Sequence, residues 1–178
     1  MSIGSEYLKT VIQRFTDAKL TAEKAFNQLR ENQLFWSPNE ESNSISIIIK
    51  HMSGNMVSRW TDFLITDGEK PERNRDEEFE GDFQTKDQMM ESWEYGWDTF
   101  FEALKSLEEE HLLTTVYIRN EPHSVMEAIE RQMNHYSYHI GQIVYIAKML
   151  KSTEWETLTI PKKKKSIHIN LIILKGIY

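Results

Sequence analysis

Residues 124–150 read SVMEAIERQMNHYSYHIGQIVYIAKML. Val125, Ile129, Met133, Tyr136, Ile140, Ile143, Val144, Ala147 and Leu150 recur at three- and four-residue intervals, the period of a helix with one buried face. Ser124 and Glu127 stand in capping-box spacing at its start, where they can satisfy free amide donors. A helix of this length needs partners to cover its apolar stripe, and the rest of the chain supplies three.

From Tyr7 to Leu29 the residues Leu8, Val11, Ile12, Phe15, Ala22, Phe26 and Leu29 repeat the pattern. The stretch ENQLFWSPNEES, with Pro38, ends that helix, and Asn43 or Ser44 can cap the next. The second helix carries Ile45, Ile48, Ile49, Met52, Met56, Trp60, Phe63 and Leu64 to about Thr66. Then DGEKPERNRDEEFEGD breaks the period and reads as a long solvated loop over residues 67–84. At about 3.3 Å per extended residue it can span the length of a helix rising 1.5 Å per residue, so the helices it joins need not be antiparallel.

Thr85 and Gln88 form another capping-box signature, followed by the stripe Met89, Trp93, Trp97, Phe100, Phe101, Leu104 and Leu107. TTVYIRNEPH is β-branched and aromatic and stops at Pro122, predicting one short extended piece, too little for a sheet. The expected fold is all-α: a four-helix bundle over residues 1–161, with a basic and apolar tail at 162–178. That tail, KKKKSIHINLIILKGIY behind Pro161, reads as docked or disordered, with a membrane tether or a functionless extension as alternatives.

Composition narrows the function. The net charge of -7 in 178 residues disfavours a nucleic-acid partner, because phosphate recognition needs concentrated positive surface. With no cysteine, disulfides, thiolate nucleophiles and Cys-ligated zinc are excluded, leaving His, Asp and Glu as metal ligands. The first residues hold no apolar run behind a basic start, and no run is long enough to span a bilayer, so a cytoplasmic location is expected.

His135 and His139 are four residues apart on the last helix and point the same way. With Arg131 and Gln142 they fall on the shoulder of its buried face, where a side chain reaches both the interior and a groove. His51 lies near the edge of the second helix's stripe, with Asn55 and Arg59 one and two turns on. If these helices are neighbours, His51 completes a three-histidine set with room for water or substrate. By spacing alone, the alternative is a set of hydrogen-bonded core histidines.

The segments NSISIIIKHMSGNMVSRWTDFLITDGEKPERNRDEEFE and EPHSVMEAIERQMNHYSYHIGQIVYIAK, together with LTIP, resemble the DinB-like, or YfiT-like, superfamily of metal-dependent proteins. KHMSGNM and HYSYHIGQ each match as blocks, and the resemblance extends over residues 5–161. It implies an up-down-down-up bundle, a homodimer, and a divalent nickel, zinc or iron ion on His51, His135 and His139. It further implies an S-transferase that uses a low-molecular-weight thiol such as bacillithiol on a small-molecule substrate. A metal-dependent hydrolase or a non-catalytic metal-binding stress protein are the alternatives.

Gln142 and Asn55 are candidates for holding a histidine or a bound water, with helix-packing amides as the plain alternative. Arg59 and Arg131 could grip the carboxylates of a thiol cosubstrate, and Arg73 and Arg75 could cover the site as a lid; ordinary surface ion pairs and a solvated loop are the competing readings. His111, His123 and His168 lie away from the ligand sectors. No carboxylate stands out as a general base.

Overall fold

A computed structural model describes residues 2–160 of the chain. The tail and His168 lie outside the described residues. Four long helices, α1 (Ile3–Phe26), α3 (Ile45–Trp60), α4 (Lys86–Lys105) and α5 (Val125–Lys151), surround one core, and a single helical turn, α2 (Glu31–Leu34), follows α1. No helix among these residues is long and apolar enough to cross a membrane.

The helix starts follow the side-chain chemistry. Ser44, Thr85 and Ser124 each accept a hydrogen bond from the backbone N–H three residues on, at 3.1, 3.2 and 3.1 Å. The reciprocal half of the capping box is absent at Ser124, and at α4 Gln88 accepts from Gln84 N–H instead of from Thr85.

The helix ends differ from the periodic pattern. α1 stops at Phe26, three residues early, as the chain folds into turns closed by the Gln28 and Leu29 amides. α3 stops at Trp60 because Asp62 adopts a φ of 49° and then caps a turn through Ile65 and Thr66. Phe63 still reaches the core from this turn, although it lies beyond the end of α3 and within the helix that the apolar spacing predicts.

The expected single extended piece is instead a hairpin: β1 (Thr115–Ile118) pairs antiparallel with β2 (Glu121–Ser124), Ile118 opposite Glu121 and Tyr117 opposite Pro122. Arg119 and Asn120 form its two-residue turn with φ of 57° and 62°, as a turn matched to strand twist requires. In a two-residue hairpin the second pair from the turn exchanges no hydrogen bonds, so the missing N–H of Pro122 costs nothing there. The Asp67 carboxylate accepts from the Arg119 and Asn120 amides at 2.9 and 2.7 Å and fastens the hairpin to the loop after α3.

Aromatic residues lock the helices together. Phe15 of α1 meets Phe100 of α4 edge-on at 4.5 Å between ring centroids, Trp60 of α3 meets Phe100 at 4.8 Å, and Trp97 of α4 meets Tyr136 of α5 at 5.6 Å. Each such pair adds about 0.5–1.5 kcal/mol beyond the burial of its area. Helices α3 and α4 pack closely at Gly96, where a Cβ would sit 2.9 Å from Ser53 Cα, so the contact needs a residue without one.

The loop before α4 does not stand off in solvent. Lys50 Nζ donates to the carbonyls of Glu77 and Glu80 at 2.6 and 2.9 Å, and Ser46 donates to Asp82. The loop is thereby laid back along α3, with consequences for the histidines below.

Candidate metal centre

Helices α3 and α5 are neighbours, and their contact brings His51, His135 and His139 together. His135 Nε2 lies 3.2 Å from His51 Nε2 and 3.0 Å from His139 Nε2, and one ligand atom from each ring falls within 4.8 Å of the others. His51 and His139 are buried, and His135 is half-buried at the cavity side.

The second ring nitrogens decide the tautomers. Glu78 Oε2 can only accept, so His51 Nδ1–H donates to it at 2.8 Å. Likewise His139 Nδ1–H donates to Gln142 Oε1 at 2.8 Å. In both neutral rings Nε2 then carries a lone pair, aimed at the same small volume. Gln132 lies 3.0 Å from His135 Nδ1. The atom at this distance is the Gln132 amide nitrogen, which donates to Nδ1 and leaves the His135 proton on Nε2, between the Nε2 atoms of His51 and His139; a metal at His135 Nε2 would require the Gln132 amide to turn its oxygen to Nδ1.

Nitrogens this close need a proton or a cation between them: the His135 Nε2–H supplies the proton in the metal-free protein, and a bound divalent ion would take its place. Nitrogens bound to one divalent ion at about 2.0–2.1 Å, with angles between about 90° and 109°, lie about 2.9–3.4 Å apart. The two spacings from His135 fall in that interval and the third pair lies within 4.8 Å, an arrangement consistent with a metal site.

Glu78 was not singled out by its sequence. It belongs to a short 3-10 turn, Asp76–Glu78, in the loop expected to be solvated, yet it is buried. Arg73 grips it with two bonds, Nε to Oε1 at 2.7 Å and the NH2 nitrogen to Oε2 at 2.8 Å. Burial alone would raise the Glu78 carboxyl, but the hydrogen bonds from His51 and Arg73 outweigh it and hold the group below the usual carboxylate range. Gly54 makes the approach possible, since a Cβ there would lie 2.4 Å from Glu78 Oε1.

Asn55 touches no histidine directly. Its Oδ1 lies 2.9 Å from Gln132 Nε2 and 3.4 Å from the Tyr136 hydroxyl, so it fixes Gln132, which faces His135. Gln132, also buried, escaped the sequence reading although it sits three residues before His135 on the same face.

A cavity of about 490 Å³ opens beside the triad, lined by His51 and His135 together with Arg59, Arg73, Arg75, Arg119 and Arg131. His139 is not among its lining residues. His111 instead accepts from the Glu108 amide through Nδ1 at 3.0 Å, and His123 is on β2, away from the cluster.

Burial first, and then the neighbouring imidazoles, push the His135 ring down to about 3, and burial lowers His139 as well. Folded-state values below the unfolded value near 6.5 mean that the unfolded chain takes up protons first as pH falls. Stability is therefore complete above pH of about 6.5 and is lost progressively between there and about 3. For metal-free protein, the drop from pH 7 to 5 is expected to reach about 1–2 kcal/mol after discounting for partial exposure, or about 2–8 °C in Tm. Thermal melts across that range check this, and a His135→Gln/His139→Gln variant should flatten the dependence.

No curated protein matches the chain. A family model described as a protein of unknown function, DUF1572, matches residues 2–164, nearly the whole chain. With that match the chain belongs to the DUF1572 family, a DinB/YfiT-like family.

Proposed function

We propose that the protein is a divalent-metal-dependent enzyme that transfers a low-molecular-weight thiol to an electrophilic small molecule. The observation that carries the reading is the convergence of three imidazoles beside an open cavity that two of them line. His51, His135 and His139 would hold the ion, with nickel, zinc and iron all suited to three nitrogens. When bound, it supplies Lewis acidity that lowers the pKa of a coordinated thiol or water, a nucleophile source for a chain without cysteine.

The chain's own residues do the rest. Glu78 and Gln142 orient His51 and His139 through their Nδ1 protons, and Gln132, steadied by Asn55, holds His135 by donating to its Nδ1, an amide that would turn its oxygen to that nitrogen when an ion is bound at Nε2. Arg59 and Arg131 face the cavity, where they would grip an anionic cosubstrate. Arg73 and Arg75 cover one side, and Arg73 works mainly by fixing Glu78.

An up-down-down-up order is part of this reading. Tyr7 reaches Glu130 and Phe15 reaches Tyr136, which favours parallel α1 and α5. Phe15 with Phe100 and Phe26 with Trp93 favour antiparallel α1 and α4, and His51 with His135 and Asn55 with Gln132 favour antiparallel α3 and α5. A cytoplasmic homodimer is the setting it assumes.

The test loads metal-stripped protein with nickel, zinc or iron(II) and assays a panel of electrophiles with bacillithiol, glutathione or coenzyme A. Metal-dependent loss of free thiol, absent from a His51→Ala variant, is the expected result. Turnover without thiol would move the assignment to a hydrolase, and none under any condition would leave a non-catalytic metal-binding protein.

A further inference from the structure

The wall of the cavity beside the triad carries five arginines, and among the described residues lining it there is no lysine and no carboxylate. This concentration stands out in a chain whose net charge is -7. Three acids lie close enough to compensate, Asp67 at the Arg119 amide and near Arg59, and two that pair directly with guanidinium groups. Glu69 is shared by Arg59, Arg73 and Arg119 at 3.7, 3.5 and 3.2 Å, and Glu78 is taken by Arg73. Arg75 and Arg131 make no ion pair among the described residues. Five guanidinium groups against three carboxylates leave a surplus of about two positive charges at one concave space, where low-dielectric walls strengthen the field.

Arg59 is the most demanding member. It is only 8% exposed, and its Nε is buried without a hydrogen-bond partner. Its one salt-bridge partner among the described residues, Glu69 Oε2 at 3.7 Å from Nη2, is beyond hydrogen-bond reach. Gly68 packs against its stem, as a Cβ there would fall 2.6 Å from Arg59 Cδ, and this holds the side chain in place. A guanidinium has five donors and no way to shed its charge, so burying one with its bonds unmade is costly unless an acceptor arrives from the open side. Arginine rather than lysine also suits planar, two-point recognition of an oxyanion.

We propose that the cavity binds a small molecule bearing at least two oxyanionic charges, as carboxylate or phosphate, with Arg59 as the buried anchor and Arg75, Arg119 and Arg131 closing around it. This names the class of substrate or cosubstrate for the reading above and rests on this cavity being its substrate site. It does not need the metal for binding, because the anchoring donors belong to the chain.

The experiment titrates full-length protein, stripped of metal and dialysed free of chelator, with inorganic phosphate and with succinate at constant ionic strength set by sodium chloride. Calorimetry and thermal melts read the binding, and succinamide is the neutral control. Saturable binding of an anion but not of succinamide is expected, weakened about tenfold or more by Arg59→Gln and about three- to tenfold by Arg131→Gln. Arg131 is exposed, so its variant remains informative should Arg59→Gln fold poorly. Tighter phosphate than succinate binding assigns a phosphate-bearing ligand, and the reverse a dicarboxylate. No saturable binding of either anion, or binding unchanged in the folded variants, overturns the proposal. Elemental analysis of the same preparation before stripping keeps the two readings apart: metal without anion binding defeats only this inference, and anion binding without metal uptake defeats only the metal site.

Discussion

Exchanging both His135 and His139 for alanine is expected to abolish stoichiometric divalent metal in the purified protein. These rings supply two of the three converging nitrogens, and His51 alone cannot hold an ion against water and buffer. The loss of affinity should exceed about 100-fold, the upper end of what removal of a mere supporting partner costs. Elemental analysis reads it directly. A second readout uses linkage: a metal present at about 100 times its Kd stabilises the native state by about 2.7 kcal/mol, so a chelator should lower the Tm of the native sequence by about 5–11 °C and leave the double variant unmoved. Circular dichroism should report a normal helical fold, since neither ring belongs to the apolar core that holds the helices together. Full metal content in the double variant would eliminate the site and, with it, the enzymatic proposal.

Glu78→Ala should produce the next largest effect, on two quantities at once. The His51 ring loses the acceptor of its Nδ1 proton, and Arg73 is left with a half-paired guanidinium whose side chain is 5% exposed. Metal affinity is expected to fall about 10–100-fold, as for other partners behind a ligating histidine. Stability should fall by about 2–4 kcal/mol, somewhat below the usual cost of breaking a buried pair because Glu69 remains near Arg73. Glu78→Gln keeps an oxygen for His51 and should recover most of the metal affinity while recovering less of the stability. Equal metal affinity in all three proteins would show that Glu78 is a structural partner of Arg73 and not a positioning group for His51. The loop between α3 and α4 adds a further check, because without Glu78 its cleavage by trypsin should accelerate.

The helical parts of the fold were legible in the residues because their determinants are local. Apolar spacing marked α1, α3, α4 and α5, and Ser44, Thr85 and Ser124 marked three starts, each within a few residues of the groups it satisfies. The hairpin was missed for an equally local reason. Arg119 and Asn120 lack the glycine that signals a tight turn, and Pro122 reads as a stop unless its partner strand is already known to leave its nitrogen unpaired.

The site divides along the same line. His135 and His139 are one turn apart on one helix, so their common direction was readable; His51 stood at the edge of its own helix's stripe as a third candidate, conditional on the two helices being neighbours, and the resemblance implied the same set. Glu78 was not readable: it is one of several acids in a charged run, and only the path of the loop along α3, held by Lys50, Ser46 and Gly54, selects it over Glu77 or Glu80. The arginine surplus has the same origin, as its members come from α3, the loop, the hairpin turn and α5.

Sequence by itself determined which segments coil, which faces they bury, and that cysteine chemistry is excluded, since these follow from periodicity, capping and composition. Only the tertiary structure decided that α3 faces α5 across three imidazoles, that a buried carboxylate stands behind one of them, and that a cationic cavity opens beside them. Those outcomes depend on contacts between residues far apart in the chain, and a linear pattern of residue types carries no record of which distant groups will meet.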